Sequence, residues 1–312
     1  MPTLPLLKDC SVIIPVYNGE GTLSELIERL NCVLQELCAD YEVILINDGS
    51  SDRSWKKILE LTKSHPWVVG INLMRNYGQH NALLCGVRAA RFSVCITMDD
   101  DLQHPPEEIG KLLSKYAEGY DVVYGLPQKL PHVFWRNLFS RLIKRLLAFV
   151  MDIPTLRNIG SFRAFKTDLR EAFTDYQNPN VILDVLLSWG TTCFGTVQVE
   201  EESRQSGASN YNFRKLFKIA MLLLTGYSTA PLQFASQIGL ISTLFGLIIF
   251  IYVLVIYFTA GSIPGFPFLA SIISLFSGIQ LFALGIFGEY LARMFDRSMD
   301  RPTYVIREKI SR

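Results

Sequence analysis

The sequence predicts an α/β fold, with a mostly parallel sheet covered by helices on both faces and then a C-terminal transmembrane helical hairpin. Short apolar runs alternate with amphipathic stretches over residues 1–210, which is typical of consecutive β-α-β units. Two long apolar stretches follow in the last third of the chain. Hydrophobic residues make up 49% of the 312 positions and the net charge is +1, which excludes intrinsic disorder and a globally basic nucleic-acid binder.

The strands and helices of the first part follow from hydrophobic periodicity. Buried apolar runs predict strands at residues 11–17, 41–47, 68–73, 94–98 and 122–124. Apolar residues at helical spacing predict helices at about 22–37, 52–63, 79–90 and 106–118. Parallel sheets bind ligands at the carboxyl ends of their strands, so polar residues at these ends are candidate site residues. The six cysteines lack zinc-ligand spacing and are expected to be reduced thiols.

The last third of the chain is predicted to cross a membrane twice. Residues 234–259 carry no charge, and residues 266–291 carry only Glu289, so each stretch can cross a hydrocarbon core of about 30 Å. Basic residues flank this pair, and the loop between the two stretches has none, which predicts cytoplasmic ends in the plasma (inner) membrane. Basic amphipathic stretches at 132–150 and 212–224 are predicted to lie on the membrane surface. The predicted divisions are a cytoplasmic domain at 1–210, a juxtamembrane amphipathic helix at 211–231, two transmembrane helices at 232–292 and a cytoplasmic tail at 293–312.

Three consecutive carboxylates, Asp99, Asp100 and Asp101, directly follow the fourth predicted strand. Like charges this close repel one another, which favours a bound divalent cation such as Mg²⁺ or Mn²⁺. The alternative is that these residues complement the dipole of the helix that begins near Pro106. The local sequence leaves both interpretations open.

Two further strand ends carry polar or aromatic residues. Asp48 follows the second strand in NDGSSD, and Tyr17 ends the first strand in PVYNGE. Together with the carboxylates, they predict a pocket for a nucleoside diphosphate. No GxGxxG follows the first strand and no GxxxxGK[ST] occurs, which excludes a Rossmann dehydrogenase and a P-loop enzyme.

The runs PVYNGE, NDGSSD, RNYGQ and DDDLQHPPE resemble the family 2 glycosyltransferases, which have the GT-A fold. With the C-terminal hairpin, the chain is similar to polyprenyl-phosphate glycosyltransferases. These include dolichol-phosphate mannose synthases, undecaprenyl-phosphate glucosyltransferases and undecaprenyl-phosphate 4-deoxy-4-formamido-L-arabinose transferases. The resemblance implies a membrane enzyme that moves a sugar, with inversion, from a nucleotide diphosphate sugar to a polyprenyl (undecaprenyl) phosphate. It favours a UDP-sugar over a GDP-sugar and allows a homo-oligomer.

The resemblance also implies roles for individual residues. Asp99, Asp101 and Arg163 would be catalytic, with Mg²⁺ or Mn²⁺ held by Asp101, Gln103 and Asp99. Arg204 and Ser209 would bind the acceptor phosphate. The nucleotide would contact Pro15, Tyr17, Glu20, Asp48, Asp99 and Asp100.

Three positions depart from the pattern of the family. Gly19 stands where relatives often have Glu, Ser161 where some have Asp, and Asn210 where many have Lys. These departures keep open a membrane-anchored nucleotide-sugar binder without turnover. A processive polysaccharide synthase is excluded, because the chain has no QxxRW motif and too few spans.

Overall fold

The computed structural model describes residues 7–127, 160–178, 181–202, 229–260 and 265–311. The chain divides into two compact units. The first contains a β-sheet and its helices and includes the last residues, Asp300–Arg312. The second contains two long helices.

The sheet of the first unit has eight strands in the described residues, in the order β7-β5-β6-β4-β1-β2-β3-β8. Strands β1 to β5 confirm the five predicted ones, and the central strands β4, β1, β2 and β3 are parallel. The periodicity did not predict the other three: β6 and β8, which are antiparallel to their neighbours, and β7, which is parallel to β5. The bounds are β1 (Leu7–Val16), β2 (Cys38–Asn47), β3 (Val68–Leu73), β4 (Val94–Thr97), β5 (Val122–Pro127), β6 (Arg163–Lys166), β7 (Phe194–Val199) and β8 (Ile306–Ile310).

Helices cover both faces of the sheet, as predicted. The bounds are α1 (Leu23–Leu37), α2 (Ser54–Ser64), α3 (Gln79–Ala89), α4 (Ile109–Tyr116) and α5 (Leu183–Gly190). The 3₁₀ turns Pro106–Glu108 and Thr167–Phe173 lie before α4 and after β6.

Alternate residues of β1 pack on opposite faces of the sheet, as the two-residue period of a strand requires. Val12 and Ile14 belong to the core that includes α1 and α4, and Ile13 belongs to the core that includes α3 and α5. Helix α3 approaches β1 closely, because a Cβ on Gly86 would lie 2.3 Å from Ile13 Cγ2. Packing on both faces fixes the register of the central strands, and with it the place where each strand ends.

The second unit consists of α6 (Ala230–Ala260) and α7 (Phe266–Ser298). Within the described residues, α6 alone is long and apolar enough to cross a membrane, over the 23 residues Pro231–Val253 with a mean hydropathy of 2.1. Helix α7 packs against α6 where Phe276 faces Gly246. The first predicted span is therefore long and apolar enough to cross a membrane, and the second span stays a prediction.

The amphipathic stretches 132–150 and 212–224 lie outside the described residues. The predicted tail, residues 293–312, contains the end of α7 and then β8, which pairs with β3 in the sheet of the first unit.

Candidate active site

A cavity of about 270 Å³ opens where β1, β2 and β4 end. The parallel register places Val16 beside Asn47 and Ile13 beside Thr97, so the residues that follow these strands meet at one edge of the sheet. This location agrees with the predicted site. The lining residues are Pro15, Val16, Tyr17, Asp48, Asn76, Gly78, Gln79, Asp99, Asp100 and Asp101.

Asp48 is buried in the wall of this cavity and holds the loop that follows β3. The backbone N–H of Tyr77 donates to Oδ1 at 2.7 Å, and that of Gly78 donates to Oδ2 at 2.9 Å. Burial raises the pKa of Asp48, while the two N–H groups act in the opposite direction. A carboxylate has about four acceptor positions, so Asp48 can still accept a hydrogen bond from a ligand.

Asp99 accepts hydrogen bonds from two side chains of other elements. Gln79, at the start of α3, donates its amide to Oδ1 at 2.7 Å, and the Ser161 hydroxyl donates to Oδ2 at 2.7 Å. Burial raises the pKa of Asp99, and the hydrogen bond from Ser161 opposes the rise. Ser161 therefore supplies a donor at a position where some relatives carry another carboxylate.

Asp100 turns toward the loop after β1. Burial, followed by the charges of Asp99 and Asp101, raises the pKa of Asp100 to about 7. Its Oδ2 atom is buried and has no hydrogen-bond partner in the described part of the chain. A Cβ on Gly19 would lie 2.2 Å from this atom, so position 19 must be glycine for Asp100 to lie where it does.

The acidic cluster of Asp99, Asp100 and Asp101 has the chemistry for a divalent cation. Carboxylate oxygens are the ligands that Mg²⁺ and Mn²⁺ prefer. Among the described residues, no three His, Cys, Asp or Glu side chains already surround one cation position. Mg²⁺ often binds through one or two carboxylates and the phosphates of a substrate, so the cluster fits a cation that is completed by its substrate.

The match to a family model agrees with this geometry. Residues 11–173, which run from β1 to the turn after β6, match the model described as glycosyl transferase family 2. The chain belongs to glycosyltransferase family 2.

Relatives of this glycosyltransferase match over nearly its whole length. It is 32% identical over 322 residues to the undecaprenyl-phosphate 4-deoxy-4-formamido-L-arabinose transferase of Enterobacter sp. (strain 638), covering 100% of this chain and 97% of the relative. It is 33% identical over 320 residues to the protein of the same name from Proteus mirabilis (strain HI4320), covering 99% and 96%. It is also 33% identical over 300 residues to the uncharacterised glycosyltransferase YkcC of Bacillus subtilis (strain 168), covering 96% and 93%.

A solved structure supports the fold of this glycosyltransferase. Glucosyl-3-phosphoglycerate synthase from Mycobacterium tuberculosis, solved with Mn²⁺ and uridine-diphosphate-glucose, aligns with a TM-score of 0.50 and 16% identity. The alignment covers 70% of this chain and 77% of the synthase. The sheet is therefore that of a GT-A-like enzyme.

Arg163 lies behind the cavity of the glycosyltransferase and does not line it. The side chain is 1% exposed and forms an ion pair with Asp184, itself 3% exposed. Burial acts to lower the pKa of the guanidinium, but the charges of Asp184 and Tyr124 and the hydrogen bonds to them together outweigh burial, and the pKa is raised. Arg163 Nε also donates to Thr97 Oγ1 at 3.0 Å, and Thr97 Oγ1 donates to the carbonyl of Ser161 at 2.7 Å. Among the described residues, the hydrogen bonds of the predicted catalytic arginine lead to the acidic cluster through Thr97 and Ser161, and its positive charge acts to lower the pKa of Asp99.

The structure separates Tyr17 from Glu20. Tyr17 is 54% exposed and lines the cavity. Glu20 does not line the cavity, since its carboxylate accepts the N–H of Arg53 at 3.2 Å and lies in a different depression beside α2. The structure therefore does not bring Glu20 together with the other predicted nucleotide-binding residues that line the cavity.

Of the remaining predicted site residues, the structure describes Gln103 but not Arg204 or Ser209. Gln103 does not line the cavity, but its N–H donates to Asp101 Oδ1 at 3.2 Å, so it lies beside the cluster. Arg204, Ser209 and the departure at Asn210 lie outside the described residues.

Four cavity residues had no predicted role: Val16, which ends β1, and Asn76, Gly78 and Gln79, which follow β3. The motif of the last three, RNYGQ, contributed to the resemblance, but it lies beyond the end of β3. Gly78 has a φ of +95°, a conformation that favours glycine and turns the chain into α3. The sequence did contain a signal for this part of the site, because Asn76 and Gly78 lie between the end of β3 and the start of α3.

Proposed function

We propose that this enzyme transfers a sugar from a nucleotide diphosphate sugar, preferably a UDP-sugar, to a polyprenyl phosphate at the cytoplasmic face of the membrane. The observation that carries the proposal is the cavity at the strand ends, where Tyr17, Asp48 and the acidic cluster lie together. The whole-length similarity to two proteins named as undecaprenyl-phosphate transferases supports a polyprenyl acceptor. The Mn²⁺ and uridine-diphosphate-glucose in the structurally similar synthase support the donor.

The donor would lie along the strand ends. The Tyr17 ring would pack against the base, and Asp48 would accept a hydrogen bond from the base or ribose. Asp99, Asp101 and Gln103 would hold Mg²⁺ or Mn²⁺, which supplies positive charge to the leaving diphosphate. Ser161 and Gln79 keep the Asp99 carboxylate oriented through their hydrogen bonds.

The transfer needs little help from a general base. A phosphate monoester has a second pKa near about 6 and is largely dianionic at neutral pH. Its oxygen would attack C1 of the sugar while the bond from C1 to the diphosphate oxygen breaks, and the anomer inverts. Arg204 and Ser209 would hold the acceptor phosphate.

The membrane part of the proposal follows from α6. Its apolar stretch is long enough to cross the bilayer, and α7 would supply the second span that returns the chain to the cytoplasm. Three glycines of these helices have no neighbouring atom of this chain within 4 Å of an added Cβ: Gly239, Gly278 and Gly285. Small residues at such positions would allow a second copy to pack closely in a homo-oligomer.

The test is the release of nucleoside diphosphate by the detergent-purified full-length enzyme. It is supplied with undecaprenyl phosphate, Mg²⁺ or Mn²⁺, and a panel of UDP- and GDP-sugars. We expect release with one preferred donor that requires both lipid and metal, and that stops in Asp101→Ala and after chelation. Metal-dependent nucleotide binding without release from any donor would instead support the binder without turnover. Full activity of Asp101→Ala would refute the assigned site.

A further inference from the structure

The last residues of the chain extend the sheet beside the donor cavity. Strand β8 pairs antiparallel with β3, with Ile310 opposite Gly70 and Ile306 opposite Leu73. The register shifts between Asn72 and Leu73, at the end of β3 nearest the cavity. Residues 303–310, here the C-terminal segment, therefore lie next to the point where β3 leaves the sheet.

The pairing continues beyond β3 into residues 74–79, here the cavity-wall segment. The N–H of Met74 donates to the carbonyl of Val305 at 2.9 Å, and Arg307 Nη2 donates to the carbonyl of Met74 at 3.3 Å. The Met74 side chain is 48% exposed, so packing of that side chain does not fix the residue. Both backbone polar groups of Met74 are instead bonded to the C-terminal segment.

The C-terminal segment has its own anchor in the first unit. Thr303 is buried, and Tyr304 packs against the core that includes α3. The Tyr304 ring lies 5.9 Å from the guanidinium carbon of Arg88, a residue of α3. The segment is thus held to the helix that begins with the last residue of the cavity wall, Gln79.

The far end of the cavity-wall segment is bonded to the predicted donor residues. Tyr77 and Gly78 donate to Asp48, and Gln79 donates to Asp99. The segment therefore lies between two sets of contacts, one to the C-terminal segment and one to the carboxylates of the cavity.

We infer that the C-terminal segment positions the cavity wall for donor binding, with Arg307 and Tyr304 as positioning residues. The inference rests on the proposed function, in which this cavity takes the nucleotide sugar. Loosening the C-terminal segment lets residues 74–79 move away from Asp48 and Asp99, while the hydrogen bond from Ser161 still orients the Asp99 carboxylate. The consequence is weaker donor binding with little change in the rate of the chemical step.

The test uses full-length Arg307→Ala, with Arg307→Lys as the conservative variant and Arg301→Ala as the control. Arg301 is exposed in the same part of the chain, so its replacement makes the same change of charge. Hydrogen–deuterium exchange reports on the amides of Met74, Tyr77 and Gly78. We expect about three- to tenfold faster exchange at all three in Arg307→Ala, the range for loss of one hydrogen bond, with recovery in Arg307→Lys. Tyr304→Ala, compared with Tyr304→Phe, should give the same pattern more strongly.

The second readout is binding of UDP with Mn²⁺, together with KM and kcat for the donor found active. We expect KM and the dissociation constant to rise by the same factor as the exchange, with kcat within about twofold. Faster exchange at Met74 with unchanged exchange at Tyr77 and Gly78 would overturn the inference, as would a fall in kcat alone. If the wild type binds neither UDP nor GDP, the proposed function fails, and the exchange data still decide whether the C-terminal segment positions the wall.

Discussion

Replacing Asp184 alone should destabilise the enzyme much more than replacing both members of its ion pair with Arg163. Both side chains are almost fully buried. The Tyr124 hydroxyl also donates to Asp184 at 3.0 Å, and Arg163 also donates to Thr97. Asp184→Asn leaves a buried guanidinium without a compensating charge, whereas Arg163→Met with Asp184→Leu leaves no buried charge.

The magnitude follows from the burial of the pair. Breaking a buried ion pair by removing one partner costs about 3–5 kcal/mol, while apolar replacement of both partners is often neutral or stabilising. At about 2–4 °C per kcal/mol for a domain of this size, Asp184→Asn should lower the Tm by roughly 6–20 °C. The double variant should recover most of that loss.

The assay is thermal unfolding of the purified full-length protein, followed by intrinsic fluorescence. Glu60→Gln is the control, because it breaks the exposed pair with Lys57, and pairs of this kind contribute only about 0–1 kcal/mol. A Tm for Asp184→Asn within the range of the control would refute the reasoning. So would a double variant that is less stable than Asp184→Asn.

Three other changes test separate contacts. In Asp48→Asn, the single amide oxygen can accept only one of the N–H groups of Tyr77 and Gly78. We therefore expect UDP binding, measured by calorimetry, to be about tenfold weaker. Unchanged binding would contradict this. Gly19→Ala must displace Asp100, so Mn²⁺-dependent donor turnover should fall at least about tenfold while the Tm changes little; full turnover would show that position 19 tolerates a Cβ. Burial lowers the pKa of His80, with Asp184 opposing and Arg163 adding to the effect, so the folded state favours the neutral ring. Stability should therefore decline as the pH falls below about 6.5 and decline less in His80→Gln, as measured by Tm between about pH 7.5 and pH 5.5.

The sequence carried enough information to predict β1 to β5 but not β6, β7 and β8. Strands β1 to β5 are buried apolar runs, and their periodicity identified all of them. Strand β6 is four residues long and starts with the buried Arg163, and β8 reads IREKI with three charged positions. Strand β6 lies inside the sheet, between β5 and β4, but four residues are too few to show a period. Strand β8 is an edge strand in the described part of the chain, paired with β3 alone, and an edge strand does not need the apolar pattern that identifies a central strand.

The predicted site residues lie together where they directly follow a parallel strand. Asp48, Asp99, Asp100 and Asp101 meet for that reason, since parallel strands in register end at one edge. Arg163 lies within β6, and its side chain is directed by the pairing with β4 and by Asp184, neither of which the sequence pattern reveals. Asn76 and Gln79 reach the cavity only because the C-terminal segment and Asp48 fold the loop after β3 over it.

Two departures from the family pattern belong to one local arrangement around the acidic cluster. Gly19 leaves the space that Asp100 Oδ2 occupies, and Ser161 donates a hydrogen bond to Asp99 Oδ2. A carboxylate at position 161 would face Asp99 without a donor and add a fourth negative charge to a cluster in which the pKa values of Asp99 and Asp100 are already raised. A longer side chain at position 19 would displace Asp100 from its place. Because each residue accommodates a neighbouring carboxylate, restoring the family residue at either position alone should disturb the cluster rather than improve it.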